Sequence, residues 1–244
     1  MNLKKYGRGI IFVSEKKENS MKEKFKDIIR IPVNDEVLTG ELVLPDGHDS
    51  LVIFSHGSGS GRLSPRNNFV ASVLQEKGIG TLLVDLLTEQ EDRNYEARFD
   101  IPHLTERLIE VTKYVTDFEW MHNYNVGYFG ASTGAASALN AAAVNPTIRA
   151  VVSRGGRPDL AMESLSFVQA STLLIVGGMD YKVIEYNRNA FNQLHCIKEM
   201  EIIPMATHLF EESGALEKVA ELAADWFNEH LEPEVAAGKF ISHV

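Results

Sequence analysis

The chain has one cysteine, Cys196. No disulfide can form within it, which fits a reducing compartment. No apolar run approaches the ~18 residues that a membrane-spanning helix needs. The first apolar cluster, Ile10-Ile11-Phe12-Val13, is too short for the core of a signal peptide and is soon followed by Glu15-Lys16-Lys17-Glu18. A cytoplasmic protein without a membrane partner is therefore expected. Metal-binding patterns are lacking as well: there is no H-E-x-x-H and no cysteine pair. Neither a metal nor another cofactor is expected. Basic residues are scarce, 24 against 34 acidic ones, for a net charge of −10. Nine of the basic and four of the acidic residues fall in residues 1–30, so the remainder, with fifteen and thirty, carries −15. Such an acidic body excludes nucleic acid as the main partner, because phosphate neutralisation needs a basic surface. The basic residues 1–23 read as a solvated extension, 24–231 as the folded domain and 232–244 as a tail.

What is present suits one large domain: 244 residues, 44% of them hydrophobic and 24% charged. Residues 28–33 and 37–44 read as a hairpin whose first strand, holding Pro32, lies at a sheet edge. From Leu51 onward the pattern alternates. Strands are expected at 51–55, 81–87, 126–130, 150–153, 172–176 and 199–203, most of them apolar throughout. Helices are expected at 65–77, 101–119, after Ser132, near 158–166, at 183–195 and at 213–230, with a charged loop over 88–98. Continuous apolar strands separated by helices imply a mainly parallel sheet covered on both faces. The connections are too short for a large lid.

Organisation centres on Gly130-Ala131-Ser132-Thr133-Gly134, a G-x-S-x-G pattern at a strand-to-helix junction. A sharp turn there holds the serine in a strained conformation and leaves no room for side chains at 130 and 134. A serine hydroxyl needs a base, and the base an orienting carboxylate. Reactive groups of open α/β sheets gather past the carboxyl ends of strands. Asp180 and His208 each follow a predicted strand directly, in the order Ser132, Asp180, His208. Each residue alone also has an ordinary reading as a loop residue; the order and the strand ends together select the triad. Asp85 also follows a strand, but it precedes the serine and reads as structural.

Ser55-His56-Gly57-Ser58-Gly59-Ser60-Gly61 is a glycine-rich loop without a following Gly-Lys-Ser/Thr or a G-x-G-x-x-G fingerprint. It reads better as half of an oxyanion hole, with the N–H of Ser58 or of Gly59 joining that of Thr133. Arg62, Arg66, Arg154 and Arg157 are expected near the same rim, where they could bind an anionic part of the substrate. The alternative is that they pair with acids of the body.

Six blocks carry a wider likeness: F-S-H-G-S-G-S-G-R-L-S-P-R-N (54–67), L-L-V-D-L-L-T (82–88), G-Y-F-G-A-S-T-G-A (127–135), S-R-G-G-R-P-D-L-A (153–161), V-G-G-M-D (176–180) and A-T-H-L-F-E-E (206–212). Over about residues 24–231 the chain resembles the α/β-hydrolase superfamily and, within it, dienelactone-hydrolase-like proteins, some of which are fused to a phosphoribosyltransferase-like domain. The resemblance implies an eight-stranded, mostly parallel sheet with an antiparallel second strand. It also implies Ser132 as nucleophile, Asp180 as acid, His208 as base, and the 57–58 loop with Thr133 as oxyanion hole. Dienelactone hydrolases proper carry a cysteine where this chain has Ser132, so the expected reaction is hydrolysis of small carboxylic esters, acidic ones included, by a cofactor-free serine esterase. The same triad would also serve a peptidase, amidase or acyltransferase, and the fold could serve a non-catalytic binding protein. A homo-oligomer is compatible with the sequence, which does not set the oligomeric state.

Overall fold

The computed structural model describes residues 25–47 and 49–231. The expected basic extension (1–23) and tail (232–244) lie outside these residues. The chain opens with the hairpin, β1 (Phe25–Val33) and β2 (Glu36–Leu44), joined by a turn in which Asn34 adopts a positive φ of 52°. Then come β3 (Ser50–Ser55), α1 (Pro65–Glu76), β4 (Gly80–Val84), the short α2 (Glu89–Asp92) and α3 (Ile101–Thr116). They are followed by β5 (Asn125–Ala131), α4 (Thr133–Val144), β6 (Ile148–Arg154), β7 (Ser171–Gly177), α5 (Tyr181–Gln193), β8 (Lys198–Ile203) and α6 (Ala215–Leu231).

All eight strands form one sheet in the order β1-β2-β4-β3-β5-β6-β7-β8. Strands β3 to β8 run parallel, and β2 is antiparallel to both β1 and β4. Pro32 does sit on the edge strand, exposed, while Ile29, Ile31 and Val33 alternate inward. Helices α1 and α6 cover one face of the sheet; α3, α4 and α5 cover the other. Among the described residues no helix is long and apolar enough to cross a membrane.

Three segments differ from the sequence expectation. The strand expected at 81–87 ends at Val84, leaving Asp85, Leu86 and Leu87 beyond it. The charged 88–98 stretch contains α2, started by a capping box in which Thr88 and Glu91 satisfy each other's backbone N–H groups. Glu91 also accepts a hydrogen bond from the buried Arg107 of α3 at 2.8 Å, so a locally polar segment is tied to the core. The expected helix near 158–166 is instead two 3-10 turns, Pro158–Ala161 and Leu165–Phe167.

The strand order also locates the crevice. Next to each other in the sheet, β3 and β5 send their following helices to opposite faces, α1 to one and α4 to the other. Their carboxyl ends therefore open a gap at a topological switch point. Beneath that gap Phe54 and Phe129 pack ring to ring with centroids 4.9 Å apart, both buried. Burying each such ring contributes about 1.5–3 kcal/mol, which stiffens the platform below the site.

Candidate active site

Ser132 occupies the bend between β5 and α4 with φ 51° and ψ −121°, a conformation costing on the order of 1–3 kcal/mol for a residue other than glycine. Its backbone is pinned from several sides. The Ser132 N–H donates to the Arg154 carbonyl at 3.1 Å, and the Ser132 carbonyl accepts from the N–H groups of Ala135 (3.1 Å) and Arg157 (3.0 Å). The last residue of β6 and the segment after it thus buttress the elbow, a role that sequence reasoning did not assign to them. Glycine at 134 is forced by proximity, since a Cβ there would stand 2.5 Å from the His56 carbonyl oxygen and nearer still to that of Ser55.

Asp180 and His208 arrive on two loops held together by backbone hydrogen bonds. Gly178 donates to the Ile203 carbonyl at 2.8 Å and Met179 to that of Ala206 at 2.9 Å. Asp180 stands at the N-cap position of α5 but does not cap its own helix. Its Oδ2 lies 2.6 Å from Nδ1 of His208, at a helix end where negative charge is favoured. On the other side of the ring, Nε2 of His208 is 3.2 Å from Oγ of Ser132. With an ionised carboxylate as partner, Nδ1 carries the proton and donates, which leaves Nε2 free to accept from the serine hydroxyl. The structure brings together the three residues that the sequence singled out.

They open into a cleft of about 300 Å³ lined by Ser132, His208 and Asp180 at its base and by Phe99, Lys182 and Tyr186 on its walls, among others. Ser58 and Thr133 both line it too. The N–H of Ser58, however, donates to Oγ1 of Thr133 at 2.9 Å. Among the described residues no group of three or more His, Cys, Asp or Glu side chains is placed to hold a metal ion.

No family model matches the chain. Two Mycobacterium tuberculosis proteins, each named "Putative phosphoribosyl transferase", are 52% identical to it over 195 residues, 80% of this chain but 44% of their own length. The chain therefore spans less than half of these curated relatives. A solved dienelactone hydrolase from Anabaena variabilis is 50% identical, with a TM-score of 0.84, over 86% of this chain and 99% of its own. The chain belongs to the dienelactone hydrolase family of α/β-hydrolases. Est1E from Butyrivibrio proteoclasticus, 17% identical over 83% of this chain and 98% of its own with a TM-score of 0.71, shares the fold.

In this family member the four arginines separate. Arg62 pairs with Asp85, whose Oδ1 also accepts the Arg62 N–H at 2.7 Å; the carboxylate braces the glycine-rich loop, the structural part expected of it. Arg66 pairs with the exposed Glu211. Arg154 is buried on the face carrying α1, bonded to Asn67 Oδ1 at 3.3 Å, and burial with the nearby charge of Arg66 pulls its guanidinium down to about 10. Only Arg157 lines the cleft. There it makes a two-pronged bond to Asp159 (2.8 and 2.7 Å) and lies over the Tyr186 ring at 4.8 Å. Lys182, one turn before Tyr186 on α5, lines the same wall and has no carboxylate within ion-pair range among the described residues. Sequence reasoning singled out neither residue: the helix expected at 183–195 began after Lys182, and only a start at Tyr181 puts 182 and 186 at i and i+4 on one face. Cys196 is remote from this chemistry: half-buried beyond α5, its sulfur 3.7 Å from Thr172 Oγ1, with burial pushing the thiol pKa up.

His56 anchors the glycine-rich loop from below. Its Nε2 accepts the Leu86 N–H at 3.0 Å, and Nδ1 faces the Gly57 carbonyl at 3.1 Å, so the ring is neutral with its proton on Nδ1. Burial holds its pKa below the usual value, against smaller opposing effects of the Gly57 carbonyl and of Asp85 and Asp92. A second proton would set Nε2–H against the Leu86 N–H. The folded protein takes up that proton less readily than the unfolded chain, so this contribution is complete above about pH 6.5 and erodes as pH falls towards the folded-state pKa. Unfolding measured from pH 7 to 5 should show stability falling by up to about 1.4 kcal/mol per pH unit from this group. His56→Gln should flatten that slope, and an unchanged slope would remove His56 from the account.

Proposed function

We propose that the chain is a serine esterase that cleaves small carboxylic esters through an acyl-enzyme. Membership of the dienelactone hydrolase family supports hydrolase activity in general. The reading of the chemistry rests on one observation: the Asp180–His208–Ser132 run, with separations of 2.6 and 3.2 Å, at the base of an open cleft. His208 takes the proton of Ser132 as its oxygen attacks the ester carbonyl, and Asp180 holds the ring tautomer and stabilises the imidazolium. His208 then returns the proton to the departing alcohol. Water, deprotonated by the same ring, hydrolyses the acyl-Ser132 ester, and the serine leaves with its proton restored. The Thr133 N–H at the start of α4, with no acceptor one turn back in its own helix, supports the tetrahedral oxyanion.

An anionic substrate suits the cleft wall. Lys182 is uncompensated there, whereas Arg157 already serves Asp159. Lys182→Ala should raise KM for a carboxylate-bearing ester about three- to tenfold relative to a neutral ester of the same size, as for an exposed ion pair worth up to about 1 kcal/mol or a little more. Equal changes on both esters would refute an electrostatic role for Lys182. The same comparison on Arg157→Ala tests the sequence-based expectation for that residue.

A panel of esters, thioesters, lactones and amides, assayed with wild type and Ser132→Ala, tests the function. Ser132-dependent turnover of esters above amides is expected. Preference for amides, or acyl transfer to an added alcohol in place of hydrolysis, would shift the assignment to an amidase, peptidase or acyltransferase. Turnover of none, in a folded protein, would favour a binding role.

A further inference from the structure

We propose that the side-chain hydroxyl of Thr133 is itself an oxyanion donor, aligned by the Ser58 N–H. This rests on the esterase reading and names the group that completes its oxyanion hole. An amide has one proton, and that of Ser58 points at Thr133 Oγ1 from 2.9 Å. In this arrangement the Ser58 N–H, one of the two donors considered in the glycine-rich loop, is directed at the threonine and not at the substrate. A hydroxyl has one proton and two acceptor sites. Having accepted from Ser58, Oγ1 retains its own proton to give.

Other threonines in the molecule show where such a proton usually goes. On α3, Thr105, Thr112 and Thr116 each donate to the carbonyl four residues earlier, at 2.7, 2.7 and 2.9 Å. Thr133 is the first residue of α4, and the residue four positions earlier, Phe129, belongs to β5, so that outlet does not exist. The hydroxyl makes no donated bond to any described residue, although Thr133 is only 4% exposed. It lines the cleft beside Ser132 and His208. A buried hydroxyl with an unspent proton is costly unless something in the cleft receives it. The bond from Ser58 polarises the O–H outward, and the positive end of α4 favours negative charge at the same place. Backbone N–H and side-chain O–H of one residue would then converge on the oxyanion, with the glycine-rich loop acting through the hydroxyl.

Thr133→Val, which removes the hydroxyl at nearly constant shape, and Thr133→Ser, which keeps it, provide the test. Steady-state kinetics on the best ester from the panel should show kcat about 10²–10³-fold lower for Thr133→Val, the usual loss for one oxyanion donor, with KM changed less than threefold. Thr133→Ser should stay within about fivefold of wild type. Affinity for phenylboronic acid, which becomes tetrahedral on the serine, should fall in parallel with kcat in Thr133→Val, while affinity for the carboxylate product stays constant. A merely structural threonine would weaken both ligands together and lower the unfolding temperature. The proposal is overturned if Thr133→Val keeps wild-type kcat, or exceeds it because Ser58 has been released; Ser132-dependent turnover by the wild type would then leave the esterase reading standing. It is also overturned if Thr133→Ser falls as far as Thr133→Val. Absence of Ser132-dependent turnover in the wild type would overturn both.

Discussion

Ser132→Ala is expected to lower kcat for ester hydrolysis by about 10⁴–10⁶-fold while leaving the unfolding temperature within a few degrees of wild type. The magnitude follows from the way a triad works as one unit: without the nucleophile, the base and carboxylate have nothing to activate, and only binding and the oxyanion donors persist. Stability should change little because the Ser132 hydroxyl makes one contact, at 3.2 Å to His208, whereas the backbone at 132 is held by three hydrogen bonds that alanine retains. Alanine must still adopt the positive φ of 51°, so no strain is relieved. The double variant Ser132→Ala/His208→Ala should be no slower than Ser132→Ala alone. Two additive losses would mean that the pair does not act together.

Asp180→Asn is expected to lower kcat by about 10⁴-fold with KM nearly unchanged. An asparagine fits the same space, but its amide can turn an N–H towards Nδ1 of His208. The ring would then keep its proton on Nε2, 3.2 Å from Ser132, where it can no longer accept. Because the Asp180 side chain does not cap α5, its replacement should leave the helix intact, and the unfolding temperature separates the two effects. A loss below tenfold would assign the carboxylate partner to another residue. Asp85 is the other strand-end acid, yet it is bound to Arg62 beneath the glycine-rich loop.

The sequence made the scaffold of this site readable because each part has a local requirement. The turn at 130–134 needs glycines where carbonyls of residues 55 and 56 approach, and the strand ending before 180 is apolar enough to be recognised as buried, whereas the one before 208 is a half-charged edge strand placed by the strand–helix alternation. What stayed hidden depends on partners far along the chain. Nothing near Ser58 reveals that its N–H meets a hydroxyl 75 residues away. Arg154 reads as a rim residue by position, but strand alternation turns its side chain to the face covered by α1, opposite to its neighbour Ser153. Arg62 has its acid 23 residues on, in a segment read as a strand and its exit. The Thr88–Glu91 capping box was legible as a T-x-x-E pattern; the surrounding charges masked it, and its anchor Arg107 is a tertiary contact.

The most direct test of the central claim, that His208 and Asp180 activate Ser132, is to treat the folded protein with a fluorophosphonate and map the adduct by peptide mass spectrometry. A single phosphonyl group on the peptide containing Ser132 is expected, formed in wild type and at least about a hundredfold more slowly in His208→Ala. A folded wild type that remains unlabelled, or an adduct on a different residue, would contradict the account.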